Sequence, residues 1–379
     1  MKVAGFLGPS NRSRAFSSDC EQTINLLAEL QQAGTPKDSP VMLKRPALRP
    51  WAKLPAGPVR GLYEVNGNAV AVGGNQFCIL TPNRTVQVVG EVAVDSHPAT
   101  FAWNGQQGGQ ILVTSGRLGY VFDQPTADFN QITDPSFPEN VAACEYLANT
   151  GIVRIHDSNI FYYSQENDFT DWNSLDQFAT SLTADNKTGL IANHGELLLA
   201  GVNRSEFWAP TGNLNTPFAP VGASMVEQGT CAGYSLQRLD NAVFLVQGDE
   251  RGSRMVIRTS GYNFQRISTN ALEFYLNSLD LWQIQQINGW TAQMDGHALY
   301  GLNIPNAPFT PVYDVSTQMW FDWAHWDNVM LVWRQFRCRN HIFVFGKHLV
   351  GSPIDGVIYE MAFAPLNDPT FEADAVVIP

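Results

Sequence analysis

Five carboxylates and seven histidines are the side chains of this 379-residue chain with the most chemical potential. Glu145, Asp157, Glu206, Asp249 and Asp314 could serve as the acid and base of a glycosidase, which needs two carboxyl groups roughly 5–9 Å apart. Along the chain none of them forms a recognisable pair. The histidines, at positions 97, 156, 194, 297, 325, 341 and 348, show no HExxH and no His-x-His spacing. Metal ligation therefore has no sequence support. His194 and His297 sit in or beside a recurring turn, without a nucleophile motif nearby. Neither GxSxG nor GxxxxGK[ST] occurs. The glycine-rich pieces GGNQ (from Gly73) and GQQGG (from Gly105) read as strand-end turns, because a phosphate cradle needs a following helix. No catalytic, cofactor-binding or metal-ligating residue is assigned, and a non-enzymatic protein is expected.

Composition narrows the partners. The formal net charge is −12, from 23 Lys+Arg against 35 Asp+Glu. Gripping nucleic acid by counterion release needs clustered basic residues, and the nearest thing to a basic run is Lys44, Arg45 and Arg49 among prolines, which reads as a solvated loop. Charged residues make up 15% of the chain, against about 25% for an average soluble domain, which points to a surface covered by assembly. Five cysteines, odd in number, widely spaced and without a CxxC pair, read as reduced thiols of a protein made in a cytoplasm. The stretch Met1 to Ser10 is too weak for a signal peptide. No run approaches the ~18 apolar residues of a membrane span.

The elements that must position these residues repeat. A polar turn followed by an apolar run recurs as NGNAVAVGG (from Asn66), NGQQGGQILVTSG (Asn104), NTGIVRIHD (Asn149), NHGELLLAGV (Asn193), DNAVFLVQG (Asp240), DGHALYGLNI (Asp295) and RNHIFVFGK (Arg339). The runs begin at Ala69, Ile111, Ile152, Leu197, Val243, Leu299 and Ile342, with spacings of 42, 41, 45, 46, 56 and 43 residues. A period of roughly 40–50 residues is that of propeller blades. Asn-Gly and Asp-Gly supply the positive φ of two-residue hairpins, and continuous apolar runs mark strands covered on both faces. Third strands follow at Gln76, Leu118, Asn159, Ser205, Arg254, Phe309 and Gly356. Fourth strands are expected at Thr85, Asp128 and Asn263, with FEADAVVIP as the outer strand of the last unit. The expected fold is an all-β, seven-bladed β-propeller, six blades being the rival count.

Two segments depart from the repeat. The 56-residue gap carries NALEFYLNSLDLWQIQQI (from Asn270), where Leu272, Tyr275, Leu276, Leu279 and Trp282 fall near helical spacing. A short amphipathic helix within 270–287 is expected, its stripe facing the core or a neighbouring subunit. Residues 1–56 read as an N-terminal arm, which adds a strand to the last blade or reaches a neighbour, and 57–379 as the propeller. In the cluster MWFDWAHW, Trp320 is expected to pack between blades. Trp323 and Trp326 are left open between packing and glycan stacking, the latter belonging to an alternative carbohydrate-binding or glycan-active propeller.

With these blocks in order, the chain resembles the packaged-DNA stabilisation proteins, the tail hub or nozzle subunits of short-tailed phages. The resemblance is carried by HGELLLAGVNRSEFWAPTGN (from His194), GASMVEQGTCAGYSLQRLDNAVFLV (Gly222), GYNFQRISTNALE (Gly261), DGHALYGLNIP (Asp295), VYDVSTQMWFDW (Val312), GPVRGLYEVNGNAVAVGG (Gly57) and TINLLAE (Thr23). It covers about residues 20 to 362; the family's Pro-Gly near the end of the arm is Pro46-Ala47 here. The resemblance implies a structural virion protein in a sixfold ring below the portal and adaptor. Such a ring extends the DNA channel, helps retain packaged DNA and carries a needle or tailspikes, DNA passing without sequence-specific binding and no membrane being entered. It transfers no catalytic residue and no cofactor.

Overall fold

Six of the seven inner hairpins turn in one way. At Asn66-Gly67, Ala148-Asn149, His194-Gly195, Asp240-Asn241, Asp295-Gly296 and Phe345-Gly346 both turn residues have positive φ, the two-residue turn whose twist matches that of the strands it joins. The seventh, between Trp103 and Gln110, is longer and holds a single helical turn, Gly105–Gly108. The computed structural model describes residues 10–12, 20–29, 41–180, 185–213, 216–222, 224–248, 252–363 and 376–378. In it these hairpins build seven antiparallel four-stranded blades of a β-propeller.

From the inner strand outward, blade one is Val59–Val65, Asn68–Gly73, Gln76–Leu80 and Val86–Glu91. Blade two is Thr100–Trp103, Gln110–Ser115, Leu118–Asp123 and Asp128–Gln131. Blade three is Val141–Leu147, Thr150–Ile155, Ile160–Gln165 and Asp168–Ala179; blade four is Lys187–Asn193, Glu196–Gly201, Ser205–Pro210 and Phe218–Pro220. Blade five is Gln237–Leu239, Ala242–Gly248, Arg254–Ser260 and Asn263–Arg266; blade six is Asn288–Met294, His297–Asn303, Thr310–Asp314 and Met319–Asp327. The apolar runs of the repeat are the second strands, and Leu197, Leu198 and Leu199 or Val243, Phe244 and Leu245 are buried on both faces. Alternate residues of each such strand feed two different inter-blade clusters: Leu197 and Leu199 pack toward blade three, Leu198 toward blade five.

Blade seven shows how the ring closes. Its three inner strands, Asn340–Val344, Lys347–Gly351 and Val357–Ala362, come from the end of the chain, and its outer strand, Ala47–Lys53, from the arm. Pro50 sits opposite Tyr359 on this edge, where its missing N–H costs no ladder bond. Arg49 donates to Glu360 at 2.7 Å and Lys347 donates to the same carboxylate at 2.6 Å. The expectation that FEADAVVIP supplies this strand is corrected: the slot is already filled, and Val376–Ile378 pairs antiparallel with Cys20–Ile24, which lies beside the outer strand of blade six. The short path from Lys53 to Val59 makes the arm the natural closure, since strand and blade one are then adjacent in both sequence and space.

The arm's hairpin, Leu26–Glu29 with Val41–Lys44, buries Leu27 and Ala28 against Trp290, Trp323 and Phe336. Arg45 is not a solvated loop residue. It is buried, stacks 4.6 Å above the Phe336 ring and donates from Nε to Asn25 Oδ1 at 2.8 Å.

The insertion is two helices rather than one. Asn270–Ser278 is capped by Thr269, and Leu281–Gln285 by an Asp280–Gln283 capping box. Two N-caps eleven residues apart, Thr269 and Asp280, end the first helix before the stripe can continue. Ala271, Leu272, Leu276, Leu279 and Ile284 face the core, whereas Trp282 is 54% exposed and leaves the stripe.

Candidate functional site at the centre of the ring

Each described candidate carboxylate has a partner within its own blade or, for Glu145, across the ring on blade five, and no two of the described ones are brought together. Glu145, on the inner strand of blade three, lies 3.4 Å from Arg238, and burial holds its carboxyl above the usual range. Asp157, at a turn with φ 52°, is 2.9 Å from His156. Glu206 and Lys187 form a fully buried pair at 3.1 Å in blade four. Asp314 accepts from His297 Nδ1 at 3.0 Å, from Thr317 Oγ1 at 2.9 Å and from the Ser316 amide at 3.0 Å, pinning a turn of blade six. Asp249 lies outside the described residues. Glu206 and Asp314 are interior locks, each charge being met where it is buried. Glu145 is partly buried in the inner wall, and Asp157 is exposed.

Trp320 and Trp323 of the tryptophan cluster are interior, and Trp326 is partly buried. Trp320 packs between blades five and six and donates to the Ile267 carbonyl at 2.8 Å. Trp323 is completely buried and donates to the Leu26 carbonyl at 3.3 Å, under the arm. Trp326 packs edge-on against Trp333 at 5.1 Å. Cys78, Cys144 and Cys338 are buried free thiols; burial raises Cys78 to about 11 and Cys144 to about 12.

The inner strands of all seven blades enclose a cavity of about 210 Å³, lined among others by Tyr63, Glu145, Arg154, Arg238, Asn288 and His341. One end is closed by connections between blades that bond across the axis. Tyr234 donates to the Ala142 carbonyl at 3.4 Å, Gln286 bonds His97 at 2.8 Å, and Arg339 donates to the Ser96 carbonyl at 2.7 Å. Asn288 donates to the Arg339 carbonyl. Arg60, fully buried, donates to Gly74 and His97 carbonyls at 2.8 and 3.0 Å and to Ser115 Oγ at 2.7 Å, with Asp95 3.9 Å away. Burial of Asp95 opposes its ionisation, but the hydrogen bonds and charge of His97 and the charge of Arg60 outweigh it and lower its pKa. Burial lowers Arg339 to about 10. This plug was not legible in the sequence. Its members stand singly, and no motif links residues of the blade one to two, four to five, five to six and six to seven connections.

The opposite mouth is an open depression of about 590 Å³ lined by hairpin turns, including His194, Asp240, Phe343 and His348. Here His341 Nε2 meets His348 Nδ1 at 3.0 Å and the rings stack. Burial first, then His348, depress His341 to about 3. A histidine kept neutral in the fold contributes stability that is lost as pH falls from the unfolded value of about 6.5 toward 3. His297, raised by its bond to Asp314, acts in the opposite sense, its contribution fading as pH rises through its folded pKa. Urea midpoints at pH 7 and pH 4.5 are expected to drop less for His341→Gln than for the native chain; an equal drop overturns the assignment.

A sequence profile described as Bacteriophage P22 Gp10, beta-propeller, matches residues 16–365. No curated protein sequence matches the chain. Three solved structures share the fold at low identity. The extracellular domain of a one-component system from B. thetaiotaomicron aligns with TM-score 0.54 and 11% identity over 83% of this chain, which spans 40% of that one. Virginiamycin B lyase from Staphylococcus aureus aligns with TM-score 0.53 and 7% identity, over 80% and 94% of the two chains. YCF48 from Cyanidioschyzon merolae aligns with TM-score 0.52 and 13% identity, over 83% and 99%. These likenesses concern the fold alone, since propellers host unrelated functions. Among the described residues no helix is long and apolar enough to cross a membrane. The profile match runs through all seven blades and the closing strand, and the chain belongs to the phage stabilisation family, the structural β-propellers described by bacteriophage P22 Gp10.

Proposed function

We propose that this phage structural protein is a non-enzymatic tail hub subunit, several copies of which surround a common DNA channel below the portal and adaptor, retain packaged DNA and carry distal tail parts. The family match carries the reading. The propeller's own axis cannot be the conduit. Its cavity is about 210 Å³ and one end is plugged, which supports a reading in which the channel lies between copies. A chain with −12 net charge presents little to grip phosphates, which suits passage without sticking. Virion location, a sixfold ring, and adaptor, needle or tailspike partners belong to the same proposal.

One surface fits subunit contact. Beyond blade six, Met319–Asp327 and Val332–Gln335 form a hairpin whose tip exposes Val329 (88%), Met330 (62%) and Leu331 (67%). The tip is held rigid: Asp327 accepts from the Val329 and Met330 amides and from Arg334, which lowers its carboxyl to about 2. Leu331 is kept at φ 52°, an uncommon conformation for a bulky residue. Within the proposed ring this tip meets the neighbouring copy. Met330→Glu combined with Leu331→Asp is expected to leave the monomer's stability within about 0.5 kcal/mol. The same change costs ring association about 2 kcal/mol or more, some 30-fold. Mass photometry of the protein with portal–adaptor complexes reads this. Unchanged assembly removes the tip from the interface, and absence of the protein from purified virions ends the tail reading.

A further inference from the structure

The plugged end of the cavity holds more buried positive charge than the fold neutralises. Arg60, Arg154 and Arg339 are all buried there, at 0%, 5% and 7% exposure. Asp95 faces Arg60. Arg154 lines the cavity and, among the described residues, has no carboxylate within ion-pair distance. Its Nη1 donates to the Lys187 carbonyl at 2.7 Å and the Ile155 carbonyl at 3.3 Å, while its buried Nε has no partner. Nearby Arg117 adds positive charge and exposed Asp157 negative charge. The Glu145–Arg238 pair in the cavity wall is balanced.

Buried charges are normally paired, because an unpaired ion in a low-dielectric interior loses its hydration without return. A guanidinium with donors left over is shaped for a planar or tetrahedral oxyanion, which it binds through several N–H groups. The cavity has room for a small ion and a few waters, but its closed end admits no nucleic-acid strand. We propose that the central cavity binds one small tetrahedral oxyanion, such as inorganic phosphate, with Arg154 as its principal donor. The ion neutralises the plug and stiffens the junction of the blades that meet there. This inference does not depend on the tail reading.

The probe is inorganic phosphate, with chloride at matched ionic strength as reference. Calorimetric titration of the full chain is expected to give one phosphate per chain. A ligand that binds only the folded state at about a hundred times its Kd raises the folding equilibrium constant about a hundredfold, read as a phosphate-dependent rise in melting temperature. Arg154→Met is expected to abolish that rise while melting in phosphate-free buffer no lower than the native chain, because it removes an unneutralised buried charge. Arg154→Lys keeps the charge, and part of the rise. No binding to the native chain overturns the proposal. So does an equal rise in Arg154→Met, which would mark a general salt effect or an adventitious ion only.

Discussion

Trp51→Ala is expected to destabilise the protein by about 3–5 kcal/mol, the usual cost of emptying a large aromatic from a core. Domain stabilities are about 5–15 kcal/mol, so the change takes a large part of the total. Trp51 lies on the strand that closes the ring, is 5% exposed and stacks on Phe345 at 6.0 Å. It sits in the cluster joining blade seven to blade one, with Val59, Leu62, Ile342 and Leu349. A chain beginning at Leu54 goes further. It bares the edge of Val357–Ala362, whose backbone partners are Ala47–Lys53, and an open strand edge invites pairing between molecules. Aggregation or loss of the cooperative urea transition is expected. Appending residues 41–53 after Phe363 by a flexible linker should restore the transition, because the slot needs the strand rather than its original connection. A truncated chain as stable as the native one would show that the arm does not close the ring.

The second large effect concerns Lys187 and Glu206, a pair with side chains 2% and 0% exposed. Glu206 also accepts from Trp208 Nε1 at 3.3 Å. Glu206→Ala leaves an ammonium buried beside a cavity and is expected to cost about 3–5 kcal/mol. Replacing both residues by methionine is expected to recover most of that loss or exceed the native stability, since desolvation offsets much of the attraction within such a pair. Guanidinium denaturation of the four chains of the cycle at pH 7 measures the effect. A double variant no more stable than Glu206→Ala would mean that the loss comes from packing rather than charge.

Both predictions rest on features of different legibility. The hairpins could be read directly: Asn66-Gly67, His194-Gly195 and Asp295-Gly296 carry the turn geometry in two adjacent residues, and the spacing between them counts the blades. The second strands could be read too, because burial on both faces leaves an unbroken apolar run such as Leu197–Leu199. Trp282 misled for a related reason. Helical spacing predicts a shared face only while the helix continues, and the Asp280 cap ends it.

What the sequence by itself determined is therefore local: strands, turns, the repeat and, through ordered blocks, the family. The tertiary structure alone decided which segment fills the last slot, where Trp323 is covered, and which charges meet at the axis. A strand's composition shows that it will be covered but not by what, and any suitable strand satisfies an open hydrogen-bonding edge. Arg60, Ser96, Tyr234, Gln286 and Arg339 are far apart in the chain and meet only because the ring closes; no local spacing can encode a contact made by closure of the whole ring.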